Sequence, residues 1–168
     1  MISRKFAPYC MYPNIEFPKP RGDVSLREMA DHDLDPVTGI EAVSSPAPWN
    51  RNLFAGCLKS TYICIVAVAD EQVVGFGIAS GKAGEGHIVN IGVNPVYRRY
   101  GCGRQLLEGL LRELKGMQVE TVFLEVRASN QNAMRLYRRT GFNQIGLRKD
   151  YYSLGDSREN AVVMRRDF

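Results

Sequence analysis

A mixed α/β sheet, with two neighbouring parallel strands joined through a helix, is the fold class this sequence predicts, and three observations carry it. Residues 62–69, 72–80 and 87–93 are apolar and β-branched runs separated by short polar or glycine-rich breaks, the pattern of an antiparallel meander. The period then changes. Leu106, Leu107, Leu110, Leu111, Leu114 and Met117 recur three and four residues apart, which makes one stripe on an amphipathic helix. A second strand over residues 121–127 and a second helix follow it. Strand, helix, strand, helix in succession implies a right-handed crossover inside a mixed sheet.

Taken in order, residues 1–22 hold Pro8, Pro13, Pro18 and Pro20 among aromatics with no period. They read as an extended arm outside a domain that covers residues 23–168. Residues 24–29 alternate as a half-buried strand does. Asp35 followed by Pro36 offers a helix cap with proline at the first helical position, which starts a helix to about Val43. Pro46 and Pro48 break it, and a short helix is expected over about residues 51–58. Asp70 and Glu71 make one meander turn, and a glycine-rich loop over residues 81–86 makes the next. The leucine helix ends near residues 116–118; Asn130 caps a helix through Arg139 that Gly141 terminates. Strands over residues 142–152 and 160–166 complete about seven strands and about four helices.

With 168 residues, of which 45% are hydrophobic, the chain has material for one core and hence one domain. The net charge of +4 is modest, and many arginines fall after residue 97. An anionic cofactor and an ordinary solvated face both account for that bias. A stronger basic surplus or a recognised module would be wanted for direct nucleic-acid binding, and none is present. The four cysteines form no CxxC pair and neither histidine has metal-ligand spacing, so no metal is expected. The longest apolar stretch falls far short of the roughly 20 residues of a membrane span, and a reducing cytoplasm suits the thiols.

Residues 98–104, running Arg98, Arg99, Tyr100, Gly101, Cys102, Gly103 and Arg104, open the leucine helix. Amides at a helix start lack partners within the helix and carry partial positive charge, so a pyrophosphate fits there. Gly101 and Gly103 leave the backbone uncovered, and the three arginines supply charge. A dinucleotide fold would want glycine where Leu106 stands, and a P-loop would want Lys-Ser/Thr where Arg104 and Gln105 stand. An anionic cofactor of another kind is one reading, and a tight turn among solvated arginines is the other.

Arg98-x-x-Gly101-x-Gly103, directly after Asn90-Ile91-Gly92-Val93-Asn94-Pro95, resembles the acetyl-CoA motif of the GNAT acetyltransferase superfamily. Leu124-Glu125-Val126-Arg127-Ala128-Ser129-Asn130 is followed by Asn132-Ala133, Leu136-Tyr137, Gly141-Phe142, Arg148-Lys149-Asp150-Tyr151-Tyr152 and Arg158-Glu159-Asn160-Ala161. That succession resembles the RimI family, whose members acetylate protein N-terminal α-amino groups. The similarity spans residues 24–166. It implies a GNAT fold whose central parallel strands splay, with the pantetheine arm of the cosubstrate acetyl-CoA in the gap against backbone groups of Ile91, Gly92 and Val93. It further implies that residues 98–104 hold the pyrophosphate, that Asn130 contacts the cofactor, and that Glu125 is general base and Tyr137 general acid. Trp49, together with Tyr151 and Tyr152 at the start of the loop before the last strand, is then the peptide entrance, and a small-subunit ribosomal protein is the implied partner. Ser157 departs from the family, which usually has glycine there.

The residues are compatible with that chemistry. An amine must lose a proton before attacking a thioester, and the departing thiolate is helped by receiving one. Glu125 alternates with Leu124 and Val126 and so projects from the opposite sheet face, while Tyr137 lies on the inward stripe of its helix. A carboxylate at ~4.3 is a weak base for an ammonium, so it works through a raised pKa, through water, or on an amine already neutral. Roughly a tenth of an α-amine at ~8 is neutral at about pH 7, against well under a thousandth of a lysine at ~10.4, which favours an N-terminal substrate. A surface ion pair with Arg127 and a core tyrosine are the plain alternatives for Glu125 and Tyr137. At the level of function, a GNAT enzyme for lysine or a small amine and a non-catalytic coenzyme A-binding module both stay open.

Overall fold

Alternation along the strands sorts apolar side chains onto two faces, and helices cover both. The computed structural model describes residues 23–154 and 157–168, so the arm expected over residues 1–22 lies outside the described residues. The chain runs β1 (Ser25–Glu28), α1 (Leu34–Ser44), α2 (Arg51–Leu58), β2 (Ile63–Ala69), β3 (Gln72–Lys82), β4 (Glu85–Val93), α3 (Cys102–Gly116), β5 (Thr121–Arg127), α4 (Gln131–Arg139), β6 (Asn143–Leu154) and β7 (Ser157–Asp167). Short 3-10 turns at Asp31–Asp33 and Pro95–Tyr97 precede α1 and α3. The described strands form one sheet in the order β1-β2-β3-β4-β5-β7-β6, antiparallel except for the β4–β5 pair.

On one face the α3 leucines at 106, 107, 110, 111 and 114 pack on Ile65, Ala67, Ile88, Val122 and Leu124, and α4 adds Met134. On the other, α1 and α2 press Leu34, Val37, Ile40 and Phe54 onto Val66, Phe76 and Ile78. Met117 leaves the stripe and is 47% exposed, because it caps α3 beyond its last turn and Val119 fills the buried place instead.

Three sequence expectations need correction. The cap of α1 is Asp33 rather than Asp35, which stands within the first turn; the Asp33 carboxylate is turned toward Arg27 and the Ala30 amide. The glycine loop over residues 81–86 is mostly strand: Gly81 pairs with Gly86, and Ala83 and Gly84 alone turn the chain, both at positive φ. A side chain at Gly81 would come within 2.9 Å of Leu114 and one at Gly86 within 3.0 Å of Val119, so these glycines admit the end of α3 onto the sheet. Finally, Tyr151 and Tyr152 lie inside β6, not at the start of a loop.

Asp33 ties β1 to α1. Its side chain is 2% exposed and takes two bonds from Arg27, at 2.6 and 2.8 Å, and one from the Ala30 amide at 2.8 Å. Those partners hold its pKa below the usual carboxylate range. A depressed folded pKa contributes stability that is present above the unfolded value, about pH 4, and is lost as pH falls through the folded one. Asp33→Asn is therefore expected to cost about 1–2 kcal/mol at neutral pH, a figure kept low because Arg27 is partly exposed. Urea unfolding should show that loss, and the gap to the parent should narrow as pH falls through the lowered folded pKa of Asp33, where its side chain loses its charge.

Candidate active site

The parallel ladder between β4 and β5 runs from Glu85↔Thr121 to Ile88↔Leu124 and stops, although β4 continues to Val93 and β5 to Arg127. A register shift explains the parting: Ala79 of β3 pairs with Ile88 and Ile78 with Asn90, so Val89 is an extra residue in β4. Such a bulge bends its strand and strengthens the local twist, turning β4 away from β5. The result is the splayed pair, with the β5-facing edge of residues 89–93 left without a strand partner. An extended chain bearing amides fits that edge. A Cβ at Gly92 would fall 2.3 Å from the Phe76 ring, which is fully buried, so only glycine fits there. The Val93 carbonyl is already engaged, accepting from Ser44 Oγ at 3.3 Å and Arg98 Nε at 3.2 Å.

Beyond the splay the chain turns into α3. Asn94 accepts from the Val96 amide at 3.1 Å and Pro95 opens the 3-10 turn, just after the β3–β4 ladder ends at Val93. Arg99 and Gly101 have φ of 71° and 83°, and Gly101 caps α3. Gln105 donates the first bond of the helix, to Gly101 at 3.0 Å. The amides of Cys102, Gly103 and Arg104 are left with no acceptor within the helix, at the positive end of its dipole. Arg98 and Arg99 are exposed beside them; Arg104 shares its charge with Glu108 at 2.7 Å. The Cys102 thiol faces the core and burial pushes it up to about 11, so this residue offers its amide and not a nucleophile. A shallow concavity lined by Glu108, Leu111, Arg112, Lys115, Arg166 and Phe168 lies at the other end of α3 and is separate from this turn.

Glu125 is the first residue of β5 beyond the last parallel pair, and it points away from the α3 face onto which Leu124 and Val126 turn. Its partner is Arg148, Nη1 to Oε1 at 3.0 Å, and not Arg127, which instead binds Glu159 at 3.3 Å. Tyr151 donates to the same carboxylate, which pushes the Tyr151 hydroxyl's pKa up, and the Arg148 guanidinium lies 5.3 Å from the Tyr151 ring. Tyr152 donates from its hydroxyl to the Glu125 backbone carbonyl at 3.2 Å and carries the Arg127 guanidinium on its ring at 4.4 Å. Burial pushes Tyr152 up to about 12.

Tyr137 packs from α4 against the α3-side core, edge-on to Phe142 at 5.9 Å. Burial first, and Tyr152 second, push its phenol up to about 12, so it carries its proton at any ordinary pH. Glu125 and Tyr137 thus belong to opposite sides of the sheet, with Tyr152 between them. Asn130 accepts from the Ala133 amide at 3.1 Å, which occupies its oxygen in capping α4. Trp49 is half-buried with its ring 5.4 Å from that of Phe54.

Residues 26–142 match the acetyltransferase (GNAT) family. The chain belongs to the GNAT acetyltransferase family. Among its relatives in that family, the ribosomal protein bS18-alanine N-acetyltransferase of Escherichia coli strain K12 is 38% identical over 140 residues, 83% of this chain and 95% of that one. The crystal structure of the ribosomal-protein-S18-alanine N-acetyltransferase from Escherichia coli superposes with a TM-score of 0.80 at 34% identity, covering 86% of this chain and 94% of the other. Arabidopsis thaliana NAA60 in complex with acetyl-CoA shares the fold alone, with a TM-score of 0.80 at 20% identity over 87% of this chain and 99% of that one. The resemblance to the RimI family read from the motifs therefore holds, and the mixed sheet with its splayed parallel pair is the GNAT fold.

Within this GNAT site, sequence reasoning gave no role to Arg148, Glu159 or Glu41. Arg148 reaches Glu125 because Ile145 is an extra residue in β6, between the pairs Gln144↔Met164 and Gly146↔Val163, which moves Arg148 onto the Glu125 face opposite Ala161; two more extra residues, between Arg148↔Ala161 and Tyr152↔Glu159, follow it, with Asp150 at φ 49°. Glu159 accepts from the Ser129 amide at 2.6 Å as well as from Arg127, which pins the β5–α4 connection to β7. Glu41 did leave a signal, since it follows Val37 by four residues and Leu34 by seven on the buried stripe of α1.

Proposed function

We propose that this chain transfers the acetyl group of acetyl-CoA to the N-terminal α-amine of a protein, a small-subunit ribosomal protein in the cytoplasm being its substrate. The observation that carries the reading is the position of Glu125, a carboxylate at the first position of β5 beyond its pairing with β4, where an amine entering from the α1 side of the sheet meets a thioester threaded between the splayed strands. The alanine N-acetyltransferases to which this chain is similar supply the substrate class.

Acetyl-CoA supplies an acetyl group activated as a thioester. The amides of Cys102, Gly103 and Arg104, with Arg98 and Arg99, hold its pyrophosphate, and the edge at Ile91 and Gly92 pairs with its pantetheine amides. Asn130 fixes the start of α4 beside that arm. Glu125 takes the proton of the α-ammonium, directly or through a water, as nitrogen attacks the carbonyl carbon; an arriving ammonium exchanges with Arg148 for the carboxylate. Tyr137, whose phenol is about 12, acts chiefly as a hydrogen-bond donor to the departing sulfur, because full transfer to a thiolate of ordinary pKa ~8.5 is uphill. Trp49, Tyr151 and Tyr152 border the amine's approach.

Coenzyme A release is the test, measured with a free-alanine peptide, the same peptide blocked at its α-amine but bearing an internal lysine, and a small primary amine. Turnover with the free N-terminus alone is expected. Equal rates with the blocked peptide would turn the reading to lysine, and binding without release would turn it to a non-catalytic module.

A further inference from the structure

Residues 45–49, which lead from α1 to Asn50 at the cap of α2, contain Pro46 and Pro48, so within them only the amides of Ser45, Ala47 and Trp49 can donate. All three are gathered at one residue. The Ser45 amide donates to the Glu41 carbonyl at 2.9 Å, and the Trp49 amide donates to Glu41 Oε1 at 3.2 Å. The Ala47 amide donates to Ser45 Oγ at 3.3 Å, and the Ser45 hydroxyl in turn bonds the Glu41 carboxyl. From the sheet side the Asn90 side chain bonds the same carboxyl. Asn90 belongs to the stretch of β4 that has parted from β5, and Ser44, next to the loop, reaches the Val93 carbonyl of that stretch.

Glu41 is 3% exposed, and these partners are all neutral. The other buried acid among the described residues, Asp33, is paired with an arginine. A carboxyl buried without a cation costs stability, and burial pushes its pKa up. What it provides is the shape of a loop whose prolines leave few other ways to satisfy its amides.

We propose that Glu41 is a positioning residue for the peptide substrate: it folds the Pro46–Pro48 loop around its carboxyl and fastens it to β4, so that Trp49 and the loop backbone form one fixed wall of the peptide entrance. This rests on the reading that the substrate is a peptide N-terminus. Glu41 itself does not touch the reacting atoms.

Trp49 is the chain's single tryptophan, so its emission reports on this loop alone. Glu41→Ala is expected to raise the peptide KM about tenfold or more, with kcat and the acetyl-CoA KM within about threefold, and to shift Trp49 emission to the red with freer iodide quenching. Glu41→Gln keeps a carbonyl acceptor for the Trp49 amide and should restore both readouts to within about threefold of the parent. Should Glu41→Ala not fold, Ser45→Ala, which removes only the relay to Ala47, should move both readouts the same way and less. Unchanged emission and peptide KM in a folded variant, or an acetyl-CoA KM that rises in step with the peptide KM, would overturn the proposal. A parent enzyme that ignores peptides would sink the substrate reading instead, and the emission would still decide whether Glu41 holds the loop.

Discussion

Glu125→Gln is expected to lower kcat about 10²- to 10⁴-fold at neutral pH while leaving the affinity for coenzyme A unchanged. The carboxylate stands at the amine's side of the splay and not at the phosphate turn, so its loss removes a proton acceptor and no cofactor contact. The defect should shrink as pH rises past about 8, where the α-amine arrives already neutral and needs no base. A structural ion pair with Arg148 would behave differently. Its loss would change stability slightly, since both partners are partly exposed, and the rate by a factor independent of pH. Rate against pH for the parent and the variant, with the thermal midpoint of each, separates the two roles. Glu125→Asp, which withdraws the carboxylate by one methylene, should fall between them.

Tyr137→Phe should lower kcat about 10- to 100-fold with little change in the KM of acetyl-CoA. Phenylalanine keeps the ring edge-on to Phe142 and deletes only the hydroxyl, so the fold is not expected to suffer. With its pKa at about 12, Tyr137 should impose no alkaline limb on the parent's rate below that value. The variant's pH profile should therefore be parallel to the parent's and displaced downward. A rate within twofold of the parent would remove the hydroxyl from the chemistry and leave Tyr137 as a core residue.

What could be read in the sequence was local. The Asp70–Glu71 turn, the leucine stripe of α3 and the limits of α4 each depend on residues a few positions apart, and Asn130 and Gly141 mark the last of these where they were expected. The parallel pair followed from the order of elements. Contacts between distant segments were not legible in the same way. Gly81 and Gly86 resemble loop glycines until α3 is laid over them, because the closeness of a helix to a sheet is not encoded in neighbouring residues. The Glu125–Arg148 pair depends on the one-residue bulge at Ile145 in β6, and an alternating pattern cannot tell which face follows such a bulge. Glu41 was legible in principle, as an acid on an apolar stripe, but its purpose depends on the fold, which brings two loop amides to it directly and a third through the Ser45 hydroxyl.

Mass spectrometry of protein N-termini, in the cells that make this chain and in the same cells lacking it, tests the acetyl-transfer reading most directly. At least one small-subunit ribosomal protein is expected to lack the acetyl group on its α-amine in the cells without this chain, and the parent enzyme should restore it while Glu125→Gln does not. N-termini that are identical in both cells, with acetylation lost from lysine side chains instead, would contradict that reading.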